Sequence, residues 1–254
     1  MADVLVPRPA ATVLVVREVP RLEVLMLKRN LNSDFVGGAY VFPGGRLEEA
    51  DVRLGDWVLG PSDQEASARL GLDRGGLAYY AAALRETFEE AGLLFVVARD
   101  GSALELGEAR EELVVWREAL NAGASSMTEM LRAYDWRLDA RAMEYLAHWV
   151  TPVGPPRRYD TRFFVVPAPP DQLAVHDDAE VVETRWMVPA EALAAEAAGD
   201  FEMIFPTIRT LQEIAGFASL GELVAFAASR SPRRRAPRML QRDGDVVIEL
   251  DEDD

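Results

Sequence analysis

An alanine-rich stretch, Leu77 to Ala91, is the most sharply specified element of this chain, and every other segment has to be placed around it. Its composition favours helix, and Gly92 follows where a helix commonly closes in a left-handed conformation. Upstream, Thr12 to Val16 and Leu22 to Leu27 are short Val- and Leu-rich runs on either side of the turn signal Glu18 to Arg21, so they read as neighbouring strands. A polar loop, Asn30 to Asp34, leads through Gly37-Gly38 to Tyr40-Val41-Phe42 and the glycine turn Pro43-Gly44-Gly45. Residues 46–76 are mostly polar, with two helical turns expected at Gln64 to Leu70.

Downstream, Leu93 to Ala98 reads as a strand, while Glu105 to Leu120 and Met127 to Tyr134 have helical apolar spacing and read as a helical arm. Strand patterns return at Ala147 to Val150, Thr161 to Val166 and Thr184 to Val188. Pro152 to Arg158 is too rich in Pro, Gly and Arg to be strand or helix. Helices are expected from Pro189 to Ala198, Thr207 to Gly216 and Leu220 to Ala228. The tail then carries five arginines over Arg230 to Arg238 and ends on Asp251-Glu252-Asp253-Asp254. No internal repeat or long linker divides the 254 residues, so one domain is expected.

Composition removes several classes of chemistry. The formal charge of -16 repels nucleic acid and anionic lipid as a whole, so an anionic substrate would need local arginines or bound cations. Zero cysteines exclude disulfides, thiolate metal sites and cysteine nucleophiles, and only His148 and His176 are available for imidazole chemistry. The apolar runs are strand-sized and the N-terminus lacks a signal-peptide pattern, so the expectation is a cytoplasmic protein without a membrane span.

The densest chemical signal is Arg85-Glu86-Thr87-Phe88-Glu89-Glu90-Ala91-Gly92-Leu93. On a helix, Glu86, Glu89 and Glu90 stand at i, i+3 and i+4 and share one face. Their mutual repulsion has to be offset by something cationic, and a hard divalent ion such as Mg²⁺ or Mn²⁺ suits an all-oxygen set. Alone, the same pattern describes a solvated acidic face. Phe42-Pro43-Gly44-Gly45 adds a double glycine whose backbone can approach a ligand closely.

Together these residues resemble the Nudix hydrolase signature. Gly45 matches its first glycine, and Arg85 to Leu93 match its second half, with Thr87 at a position usually apolar. The acid five residues after Gly45 is Asp51 where the family has Glu, and the following gap is 33 residues, 52–84, in place of seven. Further stretches resemble the acyl-CoA and CoA diphosphatase branch: Ala39 to Gly45, Trp149 to Pro152, Arg158 to Phe164 and Glu183 to Trp186. Arg29 and Gly38 match a motif of some CoA diphosphatases, whose second arginine would fall at Asp34.

The resemblance implies an α/β/α sandwich with a mixed β-sheet, insertions at about 52–76 and 100–140, a helical C-terminal region and a tail at about 229–254. It implies metal-dependent pyrophosphate hydrolysis of acyl-CoA or CoA, giving 3',5'-ADP and a 4'-phosphopantetheine product. ADP-ribose, a dinucleotide or a capped or triphosphorylated RNA end are alternative substrates, and a non-catalytic nucleotide-binding module is the alternative class. By that resemblance Glu86, Glu89, Glu90 and the Gly44 carbonyl hold Mg²⁺ or Mn²⁺, and Arg85 pairs with Asp51. Glu180 and Glu183 are candidates for a distant acid that takes a proton from water. Arg29, Arg157, Arg158 and Arg162 are candidates for substrate phosphate, with pairing to nearby acids as the plainer reading. His148, Trp149, Trp186, Met127 and Met130 read better as core than as ligands. The expected partner is a small nucleotide substrate; neither membrane nor nucleic acid is expected, and a homodimer is suggested only by the habit of relatives.

Overall fold

The computed structural model of the chain describes residues 5–31, 37–107, 109–242 and 245–250, so Asp34 and the acidic end 251–254 lie outside it. Strands β1 (Arg8–Glu18) and β2 (Leu22–Arg29) form an antiparallel pair. Two short strands, β3 (Tyr40–Val41) and β4 (Gly44–Arg46), pair with β2 and β1 respectively. Then follow α1 (Glu49–Leu54), β5 (Val58–Leu59), α2 (Asp63–Leu70) and the alanine-rich α3 (Leu77–Ala91). The middle of the chain supplies β6 (Val96–Ala98), α4 (Ala109–Asn121), α5 (Met127–Tyr134) and β7 (Trp136–Asp139). Strands β8 (Glu144–Val150), β9 (Tyr159–Pro167) and β10 (Val181–Met187) lead to α6 (Pro189–Ala197), α7 (Phe205–Ile214) and α8 (Leu220–Ala228). The chain closes with β11 (Arg234–Arg235), β12 (Arg238–Arg242) and β13 (Asp245–Glu249).

The main sheet runs in the order β10-β2-β1-β9-β8-β11 and is mixed, because β1 and β9 are parallel while β1–β2 and β8–β9 are antiparallel. Side chains alternate across a strand, and β1 has apolar residues on both sides. Ala11, Val13 and Val15 pack beneath α3 with Leu25, Leu27, Tyr80, Leu84 and Phe88. Leu14 and Val16 face the other way, into a core shared with Met26, Phe42 and Trp149 and with Leu211, Ile214 and Leu223 of α7 and α8. The sheet is thus covered on both faces by helices, the expected α/β/α sandwich.

The structure redraws three local readings. Residues 105–107 are not helical, and α4 starts at Ala109. Of Leu93 to Ala98 only Val96–Ala98 is a strand, and it pairs with β7 in a small sheet with β5, away from the main one. The tail, to which the sequence assigns no regular structure, gains some: Arg234-Arg235 adds to β8, and β12 and β13 form a hairpin over the β-prone Val246-Val247-Ile248. Glu213 accepts hydrogen bonds from Arg230 and Arg235, so part of the arginine run is paired internally. Among the described residues no helix is long and apolar enough to cross a membrane.

Candidate active site

Helix α3 is held at both ends by residues distant in sequence. Its first turn has no cap of its own; Asp63, at the start of α2, accepts hydrogen bonds from Gly75 N and Leu77 N, both at 3.0 Å. At the other end Gly92 takes a left-handed conformation (φ 68°) and its N–H bonds to the Phe88 carbonyl. Thr87, at the position where an apolar residue is usual, is fully buried and donates its hydroxyl proton to the Ala83 carbonyl at 2.7 Å.

Between these ends lies a compact polar cluster. Arg85 Nε and Nη2 donate to the two carboxylate oxygens of Asp51, at 2.8 and 3.0 Å. Its Nη1 meets Glu89 at 2.7 Å and Glu86 at 3.0 Å, and Nη2 also reaches the Arg46 carbonyl at 3.3 Å. Burial works against the guanidinium charge, but the Asp51, Glu86 and Glu89 carboxylates outweigh it and raise the Arg85 pKa. Asp51 is fully buried and also accepts a 2.7 Å bond from the Glu48 N–H, so it caps α1 while clamping α3. The shorter aspartate reaches Arg85 because α1 carries its backbone close to α3.

Glu90 and Glu86 face the glycine turn. The Gly44 N–H donates to Glu90 at 2.9 Å. A Cβ on Gly45 would overlap the Glu86 carboxylate, and one on Gly44 (φ 150°) would overlap the backbone of Ala11 and Thr12. Both glycines are therefore required by close approach. Burial raises the Glu86 carboxyl to about 7 despite Arg85, with Glu89 adding to the rise. Glu90 is pushed well above the usual range, first by burial and then by Glu86. The cation closest to this pair on the far side is Arg29, at 3.6 Å from Glu90 and 3.5 Å from Glu180.

These donors fit a hard divalent cation chemically: the buried Glu90 carboxylate feels the partly buried Glu86 carboxylate, with less positive charge than the two need, in a cradle that admits no side chain from the glycine turn. Among the described residues no three acidic or imidazole side chains converge on one point. Glu89, the third carboxylate of the helix face, is instead drawn onto Arg85.

Other sequence candidates lie elsewhere. Glu180 reaches the cluster through Arg29. Glu183 does not: it pairs in register with Lys28, so it points to the opposite face of the sheet from Arg29, where it accepts the Tyr40 hydroxyl proton at 2.7 Å and pairs with Arg185. Arg158 donates to the carbonyls of Thr151, Pro152 and Leu5 and clips a loop. Arg157 is exposed in the same loop. Arg162 is buried against Asp160 and the ring of Tyr79, about two helical turns from Glu86. His148 bonds Asp160 at 2.6 Å and is buried; Trp149 donates to Thr210 at 3.1 Å; Met127 and Met130 are core, and Trp186 is packed against it beneath Arg17.

Sequence reading missed the residues that hold this cluster from outside. Arg117 Nε and Asn121 Nδ2, on α4, donate to the Glu89 carbonyl at 2.9 and 3.3 Å. Gln172 bonds both the N–H and the carbonyl of Leu94, at 2.8 and 2.7 Å. No local pattern marks such residues, because their partners are far along the chain.

Comparison with known proteins agrees with this architecture. The family described as NUDT19 Nudix domain matches residues 73–213, more than half of the chain. Acyl-coenzyme A diphosphatase NUDT19 of Xenopus laevis is 29% identical over 269 residues, covering 91% of this chain and 70% of the relative. The Homo sapiens protein of the same name is 30% identical over 241 residues, covering 82% and 64%. The crystal structure of a NUDIX hydrolase from Alicyclobacillus acidocaldarius superposes with a TM-score of 0.71 at 24% identity, covering 88% of this chain and 97% of that one.

Proposed function

The chain belongs to the Nudix hydrolase family, and on that premise we propose that it hydrolyses the pyrophosphate bond of coenzyme A or an acyl-coenzyme A, giving 3',5'-ADP and the (acyl-)4'-phosphopantetheine. The relatives named acyl-coenzyme A diphosphatase supply the substrate class. The observation that carries the chemistry is the pair formed by buried Glu90 and partly buried Glu86 against Gly44 and Gly45, with Arg85 already engaged by Asp51.

Nudix hydrolases depend on divalent metal ions, and in this chain Glu86, Glu90 and, after release from Arg85, Glu89 would hold Mg²⁺ or Mn²⁺ with the Gly44 carbonyl. The bound ion would supply charge neutralisation for the pyrophosphate oxygens. Arg85 keeps the carboxylates in place rather than touching substrate, since Asp51 occupies two of its donors. Arg29, with its planar fork between Glu90 and Glu180, is placed to exchange a carboxylate for a substrate phosphate. Water adds to one phosphorus, the bridging P–O bond breaks, and the water proton passes to a carboxylate. Glu180 is the acceptor we favour, because it is exposed and reaches the cluster through Arg29, whereas Glu183 faces away.

The test is a product assay by mass on CoA, acetyl-CoA, a long acyl-CoA, ADP-ribose and NADH with Mg²⁺ or Mn²⁺. The expected result is 3',5'-ADP from a CoA species, reduced at least about a hundredfold in Glu90→Gln, as for loss of a major electrostatic group. Turnover of ADP-ribose or NADH alone would discard the CoA assignment and keep the reaction type. No turnover of any substrate would favour a nucleotide-binding module.

A further inference from the structure

Helix α4, in the middle of the chain, touches the site at the last turn of α3. The last carbonyls of a helix have no partner within it. At α3 one of them, the Glu89 carbonyl, accepts from both Arg117 Nε at 2.9 Å and Asn121 Nδ2 at 3.3 Å. Arg117 and Asn121 are i and i+4 on α4, so one helical face presents both donors. Leu113 and Leu120 of the same helix are buried and anchor it to the body.

The same arm holds the segment that carries Glu180. Asn121 reaches Asp177 at 3.5 Å, and Arg110 donates to the Asp171 carbonyl at 2.5 Å. Asp177 in turn accepts from the backbone N–H groups of Ala179, Glu180 and Val181, at 3.2, 3.2 and 2.9 Å. Val175 N donates to the Ala91 carbonyl at 2.9 Å. One guanidinium nitrogen of Arg117, Nη2, is buried with no hydrogen-bond partner among the described residues, so this arginine sits at the junction at some cost.

We propose that Arg117 and Asn121 are positioning residues for the reaction: both hold the turn that bears Glu89 and Glu90, and Asn121 also ties that turn to the 171–180 segment that bears Glu180. The inference rests on the functional reading above, since it assigns the arm a role only if those carboxylates act together. Groups that orient ligands from behind typically change metal affinity or activity about 10- to 100-fold when removed.

The test uses the full chain and measures Mn²⁺ binding to the metal-free protein by calorimetry, together with kcat and KM on the substrate found above. In Arg117→Ala, Mn²⁺ affinity and kcat should each fall about tenfold or more while KM stays within about threefold. Asn121→Ala, which leaves the guanidinium in place, should show a smaller loss in the same two quantities. Far-UV circular dichroism verifies that both variants are folded, and should Arg117→Ala fail to fold, Arg117→Lys takes its place. A lowered melting temperature with Mn²⁺ affinity and kcat within twofold of the parent would overturn the inference, reducing Arg117 to a packing residue. Failure of the unaltered protein to bind Mn²⁺ or turn over any substrate would instead overturn the functional reading, so the two failures are distinguishable.

Discussion

Asp51 has two partners that no single sequence motif names together. Its carboxylate caps α1 through the Glu48 N–H and grips Arg85 bidentately, with no solvent exposure. Removing it would leave a buried guanidinium short of its main partner, and breaking buried pairs costs about 3–5 kcal/mol. Asp51→Ala should therefore lower the melting temperature by roughly 10 °C, read by calorimetry. The glutamate usual in the family would not be neutral here. Asp51→Glu adds a methylene to a closed space and should cost about 1–3 kcal/mol, and an unchanged melting temperature would show that α1 yields easily.

At the scale of elements, the best-defined helix depends on a residue outside it. Asp63 lies in the 33 residues between Asp51 and Arg85 and accepts from Leu77 N, at the start of α3, and from Gly75 N just before it. Asp63→Ala should cost about 1 kcal/mol, with faster hydrogen exchange at the Leu77 amide as the local readout. If exchange there is unchanged, the cap is not what orders the helix start. The relation of Glu86, Glu89 and Glu90 to Arg85 was legible in the sequence because it is local, one to five residues along one helix. Strands β1 and β2 were legible from Val and Leu runs and the α6 start from Pro189, whereas Gly44–Arg46 and Arg234–Arg235 join the sheet through partners that only the fold supplies. Glu183 and Arg162 were not resolvable: the irregular register between Val181 and Glu183 decides which acid turns toward Arg29, and Asp160 captures Arg162. Asp63 and Arg117 left no trace at all, since each acts across a contact that only the fold creates.

For the whole molecule, stability should depend on pH and metal together. A carboxyl whose folded pKa is raised contributes stability that is fully present below its unfolded value and is lost as pH rises through the folded value. Glu86 rises from the usual 4.5 to about 7, and Glu90 shifts in the same direction. In a chain of net charge -16, ionising both should weaken the metal-free fold further. The most direct measurement is therefore the melting temperature of the metal-free protein from pH 5 to pH 8, with and without Mg²⁺, beside Glu90→Gln. The expected result is a fall of several degrees across that range, removed by Mg²⁺ and strongly reduced in Glu90→Gln. A flat profile that neither Mg²⁺ nor the substitution alters would mean that buried Glu90 and partly buried Glu86 are not a carboxylate pair that receives a divalent cation.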